Sequence, residues 1–98
     1  MPETATQAKI VDTIRPVLEK HGVRKAAIFG SAARGQLKEG SDVDILVELP
    51  AGTGLFEFIG IEHELEDEVG RDVDLVTYQS VKPTLRDSIL NGPQIQII

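Results

Sequence analysis

The chain has no cysteine among its 98 residues, which excludes disulfides and thiolate metal sites. It also lacks any apolar run near the ~20 residues that a membrane-spanning helix requires. The N-terminal stretch does not have the order of a signal peptide, a basic patch followed by an apolar block and small residues. These absences together lead to the expectation of a soluble, cytoplasmic protein with no membrane partner. Positive charge is scarce as well: 10 Lys and Arg stand against 16 Asp and Glu, a net charge of −6. Binding a polyanion rests on a Lys/Arg surface, so nucleic acid is not expected as the main partner. At this length there is room for one small core, and a single domain over residues 1–98 is expected.

What is present concentrates in one place. Gly30-Ser31-Ala32-Ala33-Arg34-Gly35 is followed shortly by Ser41-Asp42-Val43-Asp44. A glycine-serine turn can aim backbone N–H groups at phosphate oxygens and add a hydroxyl donor. Asp42 and Asp44 stand at i and i+2, a spacing that puts both carboxylates on one face of a strand. Two carboxylates about 4 Å apart repel by roughly 4 kcal/mol at an effective dielectric near 20. Holding them together suits a divalent cation or a shared proton. Beside a phosphate-binding turn, Mg2+ fits better, because it takes oxygen ligands and bridges carboxylate to phosphate.

The flanking residues predict three strands. Ala26-Ala27-Ile28-Phe29 runs directly into Gly30, a buried strand feeding a turn. A second strand starts near Asp42 or Val43, where Val43, Ile45 and Val47 alternate with Asp44, Leu46 and Glu48. A third, Asp72-Val73-Asp74-Leu75-Val76-Thr77, repeats the aspartate-in-strand pattern. Ser31 ends the first strand while Asp42 and Asp44 begin the second, so they meet only if those strands are antiparallel. Asp74 reaches the same edge if strands two and three are parallel, which needs a crossover of a dozen or more residues. The segment from Leu55 to Val69 supplies it. The expected fold is thus α/β, a small mixed sheet packed by helices.

Gly-Ser-x-Ala-Arg-Gly, then Ser-Asp-x-Asp, then a later strand aspartate, resembles the minimal nucleotidyltransferases of the DNA polymerase β-like superfamily. The likeness extends over nearly the whole chain, including the leading helix, His21-Gly22-Val23 and Val73-Asp74-Leu75-Val76. It implies a nucleotidyltransferase fold in which Ser31 contacts the nucleotide phosphates, Asp42 and Asp44 hold two Mg2+ ions, and Asp74 is the third carboxylate. ATP is the implied substrate. The likeness further implies a toxin–antitoxin pair, in which AMP is transferred to a protein hydroxyl on a helical HEPN-type toxin and silences it. The alternative is an antitoxin that binds nucleotide without turnover and acts by occluding its partner. A third reading, an enzyme acting on a small molecule or RNA, is opposed by short length and acidity. With no room for a further domain, the acceptor must bind an exposed face or be a partner protein.

The remaining segments are read from periodicity and caps. A first helix is predicted over Thr6–His21, stopped by Gly22, and either kinked or broken by Pro16. Ala33–Gly35 is expected as a short helical turn and 36–40 as a loop. In the crossover helix Leu55, Phe58, Ile61, Leu65 and Val69 form the inward stripe, and Gly70 closes it. A fourth helix is expected from Val81 or Lys82 to Asn91, with Ser80 as its cap. The tail Gln94–Ile98 reads as an edge strand or a partner surface. Arg34 either pairs with an acidic neighbour or reaches a phosphate or the acceptor. Glu62, Glu64, Glu66, Asp67 and Glu68 read as a solvated helix face, or more sharply as a docking surface for a basic partner. His21 reads as a helix-end residue, His63 as surface, and Tyr78 as a core-packing aromatic in preference to a base-stacking one.

Overall fold

The computed structural model describes residues 5–35, 42–80 and 92–98. The elements run α1 (Ala5–Lys20), β1 (Lys25–Phe29), the short turn α2 (Gly30–Ala33), β2 (Val43–Glu48), α3 (Leu55–Val69), β3 (Val73–Thr77), a 3-10 turn at Tyr78–Ser80 and β4 (Ile95–Gln96). The sheet order is β3-β2-β1-β4. β1 pairs antiparallel with β2 and with β4, and β2 pairs parallel with β3. The α/β fold and both strand directions expected from the sequence are therefore present.

α1 runs unbroken through Pro16, which is exposed, so the continuous alternative holds. Its apolar residues Ile10, Val11, Ile14, Val17 and Leu18 are buried. At its end Gly22 takes φ +73°, a left-handed conformation that favours glycine. Gly22 N–H donates to Glu19 C=O at 3.0 Å and Val23 N–H to Leu18 C=O at 3.1 Å, while Val23 and Leu18 are both buried. This is a Schellman stop with its apolar contact. α3 begins where Gly54 N–H donates to Glu57 Oε2 at 2.8 Å and ends at Gly70, whose N–H donates to Glu66 C=O at 2.8 Å. Glu57 thus satisfies a backbone donor at the helix start and complements the helix dipole.

The alternation of β2 divides the two faces of the sheet. Val43, Ile45 and Val47 join Ala26, Ile28, Val73 and Leu75 in one apolar cluster with Ile14 and Leu18 of α1 and Ile61 and Leu65 of α3. The opposite face carries Asp44, Leu46 and Glu48, and on β1 their register partners Phe29, Ala27 and Lys25. The end of α1 is also joined to α3 by an ion pair from Lys20 to Glu64 and, just past the helix, a hydrogen bond between His21 Nε2 and Glu64 Oε1 at 2.9 Å. The Lys20 bond, then that of His21, holds the Glu64 carboxyl below its ordinary range. His21 thus pairs with a glutamate rather than merely closing a helix.

Two details differ from the sequence reading, and one open alternative is settled. The helical turn begins at Gly30, not Ala33. Gly30 reverses the chain immediately after β1 with φ +69°, which brings Ser31 into the turn itself. Leu55 is 71% exposed and does not join the inward stripe. At 3.6 residues per turn it lies about 60° from Phe58 and about 120° from Ile61 around the helix. The tail resolves to an edge strand: Ile95–Gln96 pairs with β1 and Ile97 is buried. The loop at 36–40 and the fourth helix from Val81 to Asn91 lie outside the described residues, whereas Ser80, its expected cap, donates its hydroxyl to Thr77 C=O at 3.0 Å.

Candidate functional site

β2 and β3 run parallel and in register, and that register sets Asp44 beside Asp74. Across the antiparallel pair Asp44 faces Phe29, the last residue of β1. The next residue, Gly30, therefore lies against the Asp44 side chain. A Cβ built on Gly30 would stand 3.2 Å from Asp44 Cγ and closer still to Oδ2. Only glycine allows this approach, and its left-handed φ imposes the same requirement independently. Asp42 precedes β2 and, two residues from Asp44, shares its face of the chain. Asp42 and Asp74 are exposed and Asp44 is half-buried.

The electrostatics follow from that grouping. Burial pushes the Asp44 carboxyl above its ordinary range, and the negative charges of Asp74 and then Asp42 push it further up, while Arg34 pulls it back. The nearby Arg34 charge and the crowded carboxylates together make an edge with an unbalanced demand for positive charge. Among the described residues, no group of three or more His, Cys, Asp or Glu side chains stands in metal-holding arrangement. The donor set nevertheless fits Mg2+: its oxygens are hard, and Mg2+ is commonly held by one or two carboxylates plus phosphates and water rather than by a full protein cage.

The turn beside the carboxylates is pinned from an unexpected direction. No side chain caps the first turn of α2; its closing bonds run from Arg34 N–H to Gly30 C=O and from Gly35 N–H to Ala32 C=O, both at 3.2 Å. Its far end is held by Gln7 of α1, only 7% exposed. The Gln7 amide nitrogen donates to Ala32 C=O at 2.8 Å and to Ala33 C=O at 3.1 Å. Sequence reasoning missed Gln7, and its one available signal was a polar residue one turn before Ile10 and Val11 on the buried side of α1. The backbone of Ser31 lies in this turn; its side chain is outside the described set.

The acidic run on α3 also has structural work. β3 is an edge strand, and its outward amides are met by α3: Val73 N–H donates to Glu66 Oε2 at 3.1 Å and Leu75 N–H to Glu62 Oε2 at 3.4 Å. Glu62 and Glu66 thereby cover an edge that would otherwise template pairing with another chain. His63, Asp67 and Glu68 are exposed. Tyr78 is half-buried just past the far end of β3, with the Lys25 ammonium 4.9 Å from its ring centroid. At ~3.3 Å per strand residue it begins about 13 Å beyond Asp74, away from the carboxylate edge.

A sheet with carboxylates in register on adjacent strands, beside a glycine turn, is the arrangement of a nucleotidyltransferase. Residues 11–95 match the family described as a nucleotidyltransferase domain, and the chain belongs to that family. It is 51% identical over 78 residues to the Methanocaldococcus jannaschii protein called "Putative protein adenylyltransferase MJ0435", covering 80% of this chain and 84% of that one. A solved structure described as a "putative minimal nucleotidyltransferase" superposes with a TM-score of 0.78 at 30% identity, covering 93% of both chains. The fold is also that of a chain in the complex of tri-AMPylated Shewanella oneidensis HEPN toxin with MNT antitoxin, with a TM-score of 0.72 at 20% identity over 94% of this chain and 71% of that one. Among the described residues no helix is long and apolar enough to cross a membrane.

Proposed function

We propose that this nucleotidyltransferase moves AMP from ATP to a hydroxyl group on a HEPN-type toxin, and so acts as its antitoxin. The observation that carries the reading is the register of Asp44 with Asp74 at the point where Gly30 closes on Asp44. The names of its relatives, protein adenylyltransferase and MNT antitoxin, agree with it. The reading locates the reaction in the cytoplasm, where ATP and Mg2+ are both present.

In this mechanism the turn at Gly30-Ser31 receives the triphosphate on backbone N–H groups and the Ser31 hydroxyl. The absence of a Cβ on Gly30 leaves room for that approach next to Asp44. Asp42, Asp44 and Asp74 would hold two Mg2+ ions, whose positive charge offsets the triphosphate oxygens and makes the acceptor hydroxyl more acidic. Asp74, the exposed carboxylate of the pair, takes the hydroxyl proton as general base. The acceptor oxygen forms its bond to the α-phosphorus, the bond from that phosphorus to the oxygen bridging to the β-phosphate breaks, and pyrophosphate leaves. Arg34, whose charge already acts on Asp44, lies near enough to the edge to balance phosphate charge as well.

The test is co-expression with a HEPN-type toxin, followed by the toxin's intact mass and a growth assay. The chain is expected to add AMP to that protein and restore growth. The double substitution Asp42→Asn with Asp44→Asn should abolish both while the complex persists. Full protection by the double variant with no added mass would replace this reading with the occlusion alternative.

A further inference from the structure

Helix α3 has a face that nothing in the described structure covers. Leu55 is 71% exposed, Phe56 91% and Ile59 38%, and these are the exposed large apolar residues among the described ones. Around the helix they fall with Gly60, His63 and Asp67 on the side opposite Ile61 and Leu65, which are buried against the sheet. A Phe exposed to this degree within a helix forgoes most of the stabilisation its burial would give, and two apolar neighbours make it a patch rather than a stray residue.

Gly60 is the second observation. It lies in the interior of α3, where glycine is the poorest helix former after proline. Its φ is unremarkable, and a Cβ added to it would meet nothing within 4 Å. No packing among the described residues therefore asks for a glycine there. A flat position beside Phe56, one turn away, lets a second helix approach closely, with Phe56 and Ile59 packing around it.

Charge selects the occupant. α3 carries Glu57, Glu62, Glu64, Glu66, Asp67 and Glu68 and no Lys or Arg. A second copy of this chain docked α3 against α3 would bring like charges together with no cation in either helix to balance them. We propose that the outward face of α3, formed by Phe56, Ile59, Gly60 and His63 with Asp67 at its end, docks a helix of the protein partner that bears an apolar stripe flanked by Lys or Arg. The partner is taken to be the HEPN-type acceptor, and to that extent the inference rests on the function proposed above. α3 packs on the sheet face opposite the carboxylates, so docking leaves the Asp44 edge open and binding is separable from chemistry.

Two substitutions test this on the full chain with a HEPN-type toxin that wild type binds as probe. Phe56→Glu places a carboxylate in the first turn of α3, where the helix dipole favours it. Gly60→Gln replaces a poor helix former with a good one, so the variant alone should melt a few degrees higher than wild type. Both should weaken the complex about tenfold or more by calorimetry. Both should also keep the ATP-dependent rise in Tm and raise KM for the acceptor with little change in kcat. Binding within twofold of wild type for both variants overturns the docking surface. AMP transfer fails separately: a wild-type complex that forms but leaves the acceptor mass unchanged sinks the adenylyltransferase reading and not this surface.

Discussion

Gly30 lies so close to the Asp44 carboxyl that a single methyl group cannot be placed between them. The contact joins the turn after β1 to the carboxylate edge of β2, two features separated by fourteen residues in the chain. It makes Gly30 a probe of the site. Gly30→Ala should lose about 1–2 kcal/mol from left-handed backbone alone, before the displacement of Asp44 is counted. Its thermal midpoint should fall, and the rise in midpoint on adding ATP with Mg2+ should disappear. An unchanged ligand-induced rise would remove Gly30 from the proposed phosphate turn.

The Asp44 carboxyl predicts an opposite sign for stability. Its folded-state pKa is raised, so the folded chain binds this proton more tightly than the unfolded chain. The contribution of this group is therefore most favourable at low pH and declines as pH rises through the ordinary carboxylate range and on through the raised folded value. Asp44→Asn removes the charge. Without ligands the variant should melt above wild type at neutral pH, and the difference should shrink toward acid pH. Wild type should gain further midpoint from ATP with Mg2+ by mass action, and the variant should not. A variant that is less stable at neutral pH and still responds to the ligands would contradict both the burial and the assignment.

Gln7 is expected to act through the turn. Gln7→Leu is close in size but leaves Ala32 and Ala33 carbonyls without their amide donor, a cost of about 1–3 kcal/mol. Nucleotide should bind more weakly than the loss of stability accounts for, because the end of α2 is no longer held. Titration of ATP with Mg2+ well below the melting range separates the two effects. Wild-type affinity there would make Gln7 a purely structural residue.

Glu66→Ala tests the covered edge. Val73 N–H should lose its protection from hydrogen exchange, with stability falling by about 0.5–1.5 kcal/mol. Amide exchange at Val73 compared with Leu75, which Glu62 serves, reads the effect at one site. Equal exchange at Val73 in wild type and variant would return Glu66 to the solvated helix face.

Much of this architecture was visible along the chain. The bounds of α3 follow from Gly54, the five-residue apolar pattern and Gly70, all local signals. The two strand aspartates announce themselves because a carboxylate in an apolar run needs a compensating partner. The length of the crossover permits the parallel pairing of β2 with β3 that the structure has. The start of α2 was not visible, because its reversal depends on a backbone angle that Gly30 permits but does not dictate. The acidic run on α3 was read as one surface; the fold divides it into edge covers at Glu62 and Glu66, an ion pair at Glu64 and exposed charges at Asp67 and Glu68.

By itself the sequence determined the elements, the mixed sheet and the chemistry available at one edge, since periodicity, caps and residue type act over a few neighbouring positions. Only the tertiary structure decided that Gln7 holds Ala32 and Ala33 from twenty-five and twenty-six residues away. It alone decided that Glu66 meets Val73, and that Phe56 and Gly60 face outward together. Those relationships depend on how α1 and α3 are rotated and placed on the sheet, and packing sets that placement through many weak contacts distributed over the whole core.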